Sequence, residues 1–125
     1  MRKMIFAAAL ALALSGGALS AQAQSMPAGV KMANGAMTDA SGKALYTFDN
    51  DTMKGMSHCT GRCEAAWPPL KADDKAKPMG DWTIISRDDG SKQWAYKDKP
   101  LYTFAKDEAG KPGTGEAAGP WKLAK

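Results

Sequence analysis

The sequence has little of what most enzyme sites are built from. It contains one histidine, His58, and two cysteines, Cys59 and Cys63, among 125 residues. A single histidine cannot supply a multi-histidine zinc or iron site within one chain. Gly-x-Ser-x-Gly elbows, phosphate-binding glycine loops and dinucleotide-binding patterns are also missing. We therefore predict a protein that is not an enzyme and that has no cofactor.

Long helices and clustered charge are scarce as well. The chain has seven prolines, and glycines punctuate residues 110–119, so the region after the N-terminus has no room for a long helix. Lysines and aspartates alternate, as in residues 71–77, and no basic stripe is visible. This pattern argues against binding to nucleic acid or to an anionic membrane.

The apolar run of the chain lies at its N-terminus. Two basic residues precede an apolar segment at 5–14, and a small-x-small pattern follows at 21–23. This order predicts a removable signal peptide over residues 1–23. The run is shorter than the roughly 20 residues that a membrane-spanning helix needs, and no cysteine is placed nearby for lipid attachment. We expect a single periplasmic or secreted domain over residues 24–125, without a transmembrane anchor.

What the chain does have is an internal repeat. The segment Leu45-Tyr46-Thr47-Phe48, closed by Asp51, returns as Leu101-Tyr102-Thr103-Phe104, closed by Asp107. Each copy runs on to a Glu-Ala-Ala segment and a tryptophan, which predicts two repeats at about 30–70 and 82–123. The tyrosines are 56 residues apart and the glutamates 52, so the first copy is expected to hold four extra residues. We place them where Met53, Met56, His58 and Cys59 lie.

Local patterns predict an all-β domain of short antiparallel strands, a two-repeat meander with long loops and little helix. Asn34-Gly35 suits a tight hairpin turn between Val30–Ala33 and Ala36–Thr38. In the second copy, β-branched and aromatic residues alternate with turn residues. The strands expected from these patterns are Ala44–Phe48, Trp82–Ser86, Gln93–Tyr96 and Pro100–Phe104, and the only helical turn is expected around Gly61–Ala66.

The repeated motif residues have two interpretations. A carboxylate beside an aromatic platform could bind a cation or a sugar hydroxyl. Alternatively, each aspartate accepts backbone N–H groups and fixes the turn that leaves its strand, while the aromatic residues pack between the copies. Because both copies carry the motif although their loops differ, we favour the structural role. The residues concerned are Tyr46, Phe48, Asp51, Tyr102, Phe104 and Asp107.

The exposure of the tryptophans indicates which surface could bind a ligand. Trp67 and Trp121 each lie beside proline and are predicted to cover the sheet, although an exposed tryptophan could stack on a sugar ring. A contiguous exposed surface including Trp67, Trp94 and Trp121 would indicate ligand or partner recognition. Burial of all three would leave the loops as the candidate surface.

The segment from Cys59 to Cys63 is the sharpest local feature. In an oxidising compartment we expect a disulfide that closes a small loop. As an alternative, the two thiols could join His58, Met53 and Met56 as soft ligands for Cu(I), which would make the protein a periplasmic copper-binding or copper-handling protein. Thiol-disulfide oxidoreduction is a further alternative, although such sites usually have two residues between the cysteines.

The repeated Tyr-x-Phe-x-x-Asp motif resembles the Y-x-[FWY]-x-x-D signature of a bacterial family described as secreted repeats or predicted lipoproteins of unknown function. The resemblance extends over nearly all of the chain after residue 23. It implies an exported tandem-repeat module with no assigned activity. We expect such a module to bind a cell-envelope partner or ligand. The segments that carry the resemblance further are Ser57–Cys63, Trp67–Leu70, Arg87–Gly90, Gln93–Trp94 and Pro100–Tyr102.

Overall fold

The computed structural model describes residues 26–125, so the export signal expected over residues 1–23 lies outside the described residues. The described chain consists of antiparallel strands, one short helix and one 3-10 helix, which confirms the predicted fold class. None of its helices has the length and apolarity needed to cross a membrane. The elements are β1 (Val30–Ala33), β2 (Ala36–Asp39), β3 (Tyr46–Phe48), α1 (Arg62–Ala66), β4 (Trp82–Ser86), β5 (Lys92–Tyr96), β6 (Lys99–Pro100), a 3-10 helix (Gly115–Ala118) and β7 (Trp121–Leu123).

Tight turns set the register of the hairpins. β1 and β2 are joined by Asn34-Gly35, whose φ angles of 53° and 77° are those that a two-residue turn between twisted strands requires. β4, β5 and β6 form the predicted three-stranded meander, in that order. The strand expected over Pro100–Phe104 is shorter in the structure, because only Lys99 and Pro100 pair with β5, and Tyr102 forms isolated bridges instead.

The tail of each repeat pairs with the other repeat, which the sequence did not predict. β7, at the end of the second repeat, lies antiparallel to β3 of the first, with Phe48 opposite Trp121. The tail of the first repeat runs beside the second in the same way. The Leu70 N–H donates to the Leu101 carbonyl at 2.8 Å, and the Trp94 N–H donates to the Leu70 carbonyl at 2.9 Å. Each repeat therefore pairs with the tail of the other, through β7 on one side and through isolated bridges of Pro69 and Lys71 on the other.

The hydrogen bonds of the two repeats match across an approximate two-fold axis. The axis passes between Tyr46 and Tyr102, which exchange both backbone hydrogen bonds at 2.8 and 2.9 Å. On one side the Ala124 N–H donates to the Leu45 carbonyl at 2.8 Å, and this bond is the counterpart of that between Leu70 and Leu101. The duplicated sequence thus folds as one pseudo-symmetric body.

The alternation along the repeated strand divides the core into two clusters. Leu45 and Leu101, both fully buried, lie in the cluster that contains Trp82 and Trp94. Tyr46 and Tyr102, also fully buried, face the opposite cluster with Trp67 and Trp121. The division follows from the period of two in a β-strand, in which successive side chains point to opposite faces.

The length difference between the repeats does not lie where the sequence placed it. Asp51 accepts the backbone N–H of His58, and Asp107 accepts that of Thr114, so this stretch spans seven residues in both copies. The tail tryptophans, Trp67 and Trp121, are 54 residues apart, whereas the motif tyrosines are 56 apart. The extra length therefore lies after Cys59, in the segment that contains α1. The prediction was wrong because it aligned the two Glu-Ala-Ala segments with each other. The first segment lies in α1, whereas the second lies in the 3-10 helix.

Candidate functional site

The motif residues pair between the repeats rather than within them. The hydroxyl of Tyr46 donates to Oδ2 of Asp107 at 2.6 Å, and the hydroxyl of Tyr102 donates to Oδ2 of Asp51 at 2.5 Å. All four side chains are buried. Hydrogen bonds to an ionised group contribute more than neutral ones, and these two join segments 61 and 51 residues apart. The motif is therefore a clamp between the two repeats.

The second oxygen of each aspartate holds a loop. Oδ1 of Asp51 accepts the His58 N–H at 2.6 Å, and Oδ1 of Asp107 accepts the Thr114 N–H at 3.0 Å. We call residues 52–58 the first loop and residues 108–114 the second loop. Each aspartate thus accepts a backbone N–H, as the structural interpretation of the motif has it, and in addition binds a tyrosine of the other repeat. Neither carboxylate points a free oxygen toward solvent for a cation.

The tyrosines remain neutral donors at physiological pH. Burial, followed by the hydrogen bond to the partner aspartate, raises the pKa of both Tyr46 and Tyr102 well above the ordinary value. Each hydroxyl also accepts a hydrogen bond. The Gly115 N–H donates to Tyr46 at 2.8 Å, and the Ser57 hydroxyl lies 2.5 Å from that of Tyr102. Each tyrosine hydroxyl thus donates one hydrogen bond and accepts another within the fold, and as a neutral group it does not provide a general base.

A buried arginine adds an asymmetric network beside the first loop. The side chain of Arg87 is 2% exposed. Its Nη1 donates to Ser57 Oγ at 3.0 Å and to Gln93 Oε1 at 2.7 Å. Its Nη2 donates to the Cys59 carbonyl at 2.7 Å and to Glu64 Oε1 at 2.9 Å. Because Ser57 in turn contacts Tyr102, the arginine continues the inter-repeat clamp on one side of the molecule.

The two phenylalanines of the motif form a continuous stack with the two tail tryptophans, and the motif tyrosines meet these tryptophans edge-on. Trp67 and Trp121 lie at the centre, with ring centroids 3.8 Å apart and planes 5° from parallel. Phe48 stacks on Trp121 at 4.2 Å, and Phe104 stacks on Trp67 at 4.3 Å. Trp67, Trp94 and Trp121 are only 6%, 6% and 3% exposed. The tryptophans therefore pack the core and offer no external platform for a sugar ring.

The two cysteines are joined. Cys59 and Cys63 form a disulfide, with their Cα atoms 5.1 Å apart. Cys59 is fully buried and precedes α1, whereas Cys63 lies within it, so the bond ties the longer first-repeat segment to its helix. Gly115 occupies the position of Cys59 in the second repeat, where a Cβ atom would come within 2.5 Å of the Trp67 ring. In this oxidised form neither cysteine offers a thiolate to a metal.

The two loops share one backbone turn. In the first loop the Met56 N–H donates to the Met53 carbonyl at 3.2 Å, and Gly55 has a φ of 81°. In the second loop the Lys111 N–H donates to the Glu108 carbonyl, also at 3.2 Å, and Gly110 has the same φ. A positive φ at the third position is the mark of a type II turn. Within the turn, Met53 and Met56 thus occupy the positions that Glu108 and Lys111 occupy in the other copy, although the turn begins two residues after Asp51 and only one residue after Asp107.

The side chains on these equivalent turns differ in chemistry. In the second loop Glu108 and Lys111 form an ion pair at 3.3 Å. In the first loop Met53 and Met56 are 54% and 46% exposed. His58 is also exposed, and its Nδ1 lies 3.1 Å from the Asn50 carbonyl oxygen. The three non-cysteine members of the predicted copper set thus lie exposed on one loop, while the two cysteines are bonded to each other.

A cleft adjoins the first loop. Its volume is about 250 Å³, against about 50 Å³ for the hollow beside the second loop. Within residues 26–125, no group of three or more histidine, cysteine, aspartate or glutamate side chains is arranged to hold a metal ion. The larger cleft is lined by Gly55, Met56, Ser57, His58, Thr60, Ser86, Arg87 and Asp88.

Sequence analysis did not identify the network of Arg87, Gln93, Glu64 and Ser57. A signal for Arg87 was present, because the buried Ile85 and the exposed Ser86 continue the strand alternation and place Arg87 on the inner face. Its partners had no comparable signal, since they come from separate parts of the chain.

Comparison with known proteins agrees with the repeat motif. A family model described as a secreted repeat of unknown function matches residues 30–71 and again residues 83–125. The match confirms the family resemblance that the Tyr-x-Phe-x-x-Asp motif indicated. No curated protein and no solved structure gives a significant match.

Proposed function

The chain belongs to this family of secreted repeats of unknown function, and we propose that it is a non-catalytic binding module of the periplasm that recognises its partner or ligand through the first loop and the adjoining cleft. One observation carries the proposal. The two loops have the same length and contain the same type of turn, yet only the first presents exposed methionine and imidazole side chains.

The burial of the motif supports this assignment. Tyr46, Tyr102, Asp51 and Asp107 use their polar atoms on one another and on the loop backbones. The tryptophans are packed in the core. Because the repeated motif residues are buried and bonded to one another, the surface loops provide the candidate binding residues. Loops on a rigid scaffold commonly carry such residues.

The distribution of exposed apolar side chains points to the same loop. Among residues 26–125 the large hydrophobic side chains that are exposed are all methionines, and two of the four, Met53 and Met56, lie on the first loop. Methionine is a flexible and polarisable side chain that is common on adaptable binding surfaces. Arg87 and the disulfide hold the base of this loop in place.

The test replaces the exposed side chains of the first loop within the full chain. In the loop-replacement variant, Met53→Glu, Met56→Lys and His58→Thr give the first loop the side chains of the second, while Ser57, which contacts Tyr102 and Arg87, is kept. The control variant is Glu108→Ala with Lys111→Ala in the second loop. Thermal unfolding of each protein is measured with periplasmic extract from the source cells, separated by filtration into macromolecular and small-molecule fractions.

We expect one fraction to raise the melting temperature of the wild type and of the control but not of the loop-replacement variant. A ligand whose free concentration is about 100 times its dissociation constant stabilises the native state by about 2.7 kcal/mol. Such a shift is readily measured for a domain of this size. Equal shifts in all three proteins, or no shift in the wild type with either fraction, would contradict the proposed function.

A further inference from the structure

Resting on the proposed function of the first loop, we propose that Met53, Met56 and His58 form a binding site for Cu(I). The site uses two thioether sulfurs and one imidazole nitrogen. Cu(I) is a soft cation that favours such ligands. The cysteines take no part, since they are bonded to each other.

The turn brings the two methionines to the same place. They occupy its first and fourth positions, whose Cα atoms lie less than about 7 Å apart in a β-turn. The second loop shows what this geometry allows, because Glu108 and Lys111 at the same two positions bring their charged atoms to 3.3 Å. Methionine is long and flexible enough for its sulfur to reach across the turn in the same way.

The hydrogen bond of the His58 ring leaves its Nε2 atom available as a metal ligand. Its Nδ1 faces the carbonyl oxygen of Asn50 at 3.1 Å. A carbonyl oxygen only accepts hydrogen bonds, so Nδ1 carries the proton and Nε2 carries the lone pair of the neutral ring. Histidines that bind metals are commonly oriented by this kind of bond to a backbone carbonyl.

The position of His58 is fixed independently of its ring. Its backbone N–H donates to the buried Asp51 at 2.6 Å, which places the residue two positions after the turn. Ser57, between them, contacts Tyr102 and Arg87. The imidazole is therefore held close to the turn by the same clamp that joins the two repeats.

The electrostatics favour a monovalent soft ion. All three ligands are neutral, and hard divalent cations such as Ca²⁺ and Mg²⁺ require oxygen ligands that this set does not supply. The Asp51 carboxylate is already engaged by Tyr102 and His58. Lys54, within the turn, has its ammonium 4.0 Å from Asp98 of the second repeat.

The experiment titrates the full, disulfide-bonded protein with Cu(I) against a chromophoric Cu(I) chelator, with ascorbate present to keep the copper reduced. We expect one Cu(I) per chain. Met53→Leu, Met56→Leu and His58→Asn should each weaken binding by about tenfold or more, because each removes one coordination bond. Met32→Leu is the matched control, since Met32 is equally exposed but lies on β1. Zn²⁺ should bind far more weakly than Cu(I).

The outcomes separate this inference from the function on which it rests. Failure of the wild type to bind Cu(I), or equal affinity in Met53→Leu, Met56→Leu and Met32→Leu, overturns the copper site. If the extract still stabilises the wild type and not the loop-replacement variant, the binding role of the loop stands with a different ligand. All variants change exposed residues, and circular dichroism verifies that each is folded.

Discussion

The first and second loops leave the same strand motif, span the same seven residues and donate the same backbone hydrogen bond to an aspartate. Each contains the same type of turn with a glycine at φ 81°, which begins one residue later after the aspartate in the first loop than in the second. One turn carries Met53 and Met56, whereas the other carries an ion pair between Glu108 and Lys111. Since the fold requires only the backbone and the aspartate, the side chains of the turns are free to differ.

A second difference lies beneath the loops. The Tyr102 hydroxyl is supported by Ser57 and, through it, by Arg87, whereas the Tyr46 hydroxyl is supported by a single backbone N–H, that of Gly115. The disulfide also belongs to the first repeat alone. The additional interactions thus accumulate under the loop with the exposed methionines. Such additional stabilising interactions are expected beneath a loop that must hold a defined shape for binding.

The largest effect is expected from Arg87→Met. The substitution leaves the acceptors Ser57, Gln93 and the Cys59 carbonyl without their donor in a buried site, while Glu64 can turn to water. We expect the free energy of unfolding to fall by about 3 kcal/mol, measured by urea denaturation. Arg62→Met, at an exposed position on α1, serves as the control and should change it little. Equal effects from both substitutions would contradict a structural role for the buried network.

Tyr102→Phe and Tyr46→Phe test the symmetry of the clamp. Each removes one hydrogen bond to a buried carboxylate and should lower the free energy of unfolding by about 2–3 kcal/mol. Since Tyr102 is linked to Ser57, its substitution should also increase amide hydrogen exchange in the first loop. Tyr46→Phe should act on the second loop instead. Exchange that rises in the loop of the same repeat as the mutated tyrosine, and not in the other, would contradict the crossed pairing.

Loss of the disulfide should have a somewhat smaller effect. For a bond that closes such a short loop, chain entropy predicts a loss of about 2 kcal/mol in Cys59→Ala with Cys63→Ala. The amides of residues 59–66 should exchange faster, while those of the 3-10 helix at Gly115–Ala118 should keep their protection. Similar changes at both places would mean that the bond stabilises the whole domain rather than the longer first-repeat segment.

Alkaline pH should weaken the clamp. The pKa of each motif tyrosine is raised in the folded state, so stability is complete below the unfolded-state pKa of about 10 and declines as pH rises above it. Each group contributes at most about 1.4 kcal/mol per pH unit to this decline. The slope of unfolding free energy between pH 10 and 11 should be smaller in Tyr102→Phe than in the wild type. An unchanged slope would show that this hydroxyl titrates alike in both states.

The smallest effect is expected in the loop itself. Met53→Leu and Met56→Leu alter exposed side chains without hydrogen bonds, so the free energy of unfolding should change by less than about 0.5 kcal/mol. Urea denaturation of the metal-free proteins measures this. A loss comparable to that of Tyr102→Phe would show that the methionines stabilise the fold, and the contrast between the two loops would then lose its functional meaning.

Much of the fold follows from local sequence. Asn34-Gly35 specifies a hairpin turn, and the aromatic and β-branched residues from Trp82 to Ser86 specify a strand. The repeated Tyr-x-Phe-x-x-Asp motif identified the duplication and the family. The short range of turn and alternation signals explains why these predictions succeeded, whereas the placement of extra residues in the first loop relied on matching letters and was wrong.

The sequence by itself determined most of the strands, the turns, the duplication and the chemistry available on each loop. Only the tertiary structure decided that Tyr46 pairs with Asp107 and Tyr102 with Asp51, that the tails exchange between repeats, and that Arg87 joins the first of the two loops to the core. The physical reason is that these partners lie far apart in the chain. Their choice depends on which surfaces remain unpaired once the strands have formed, and no local pattern of residues records that choice.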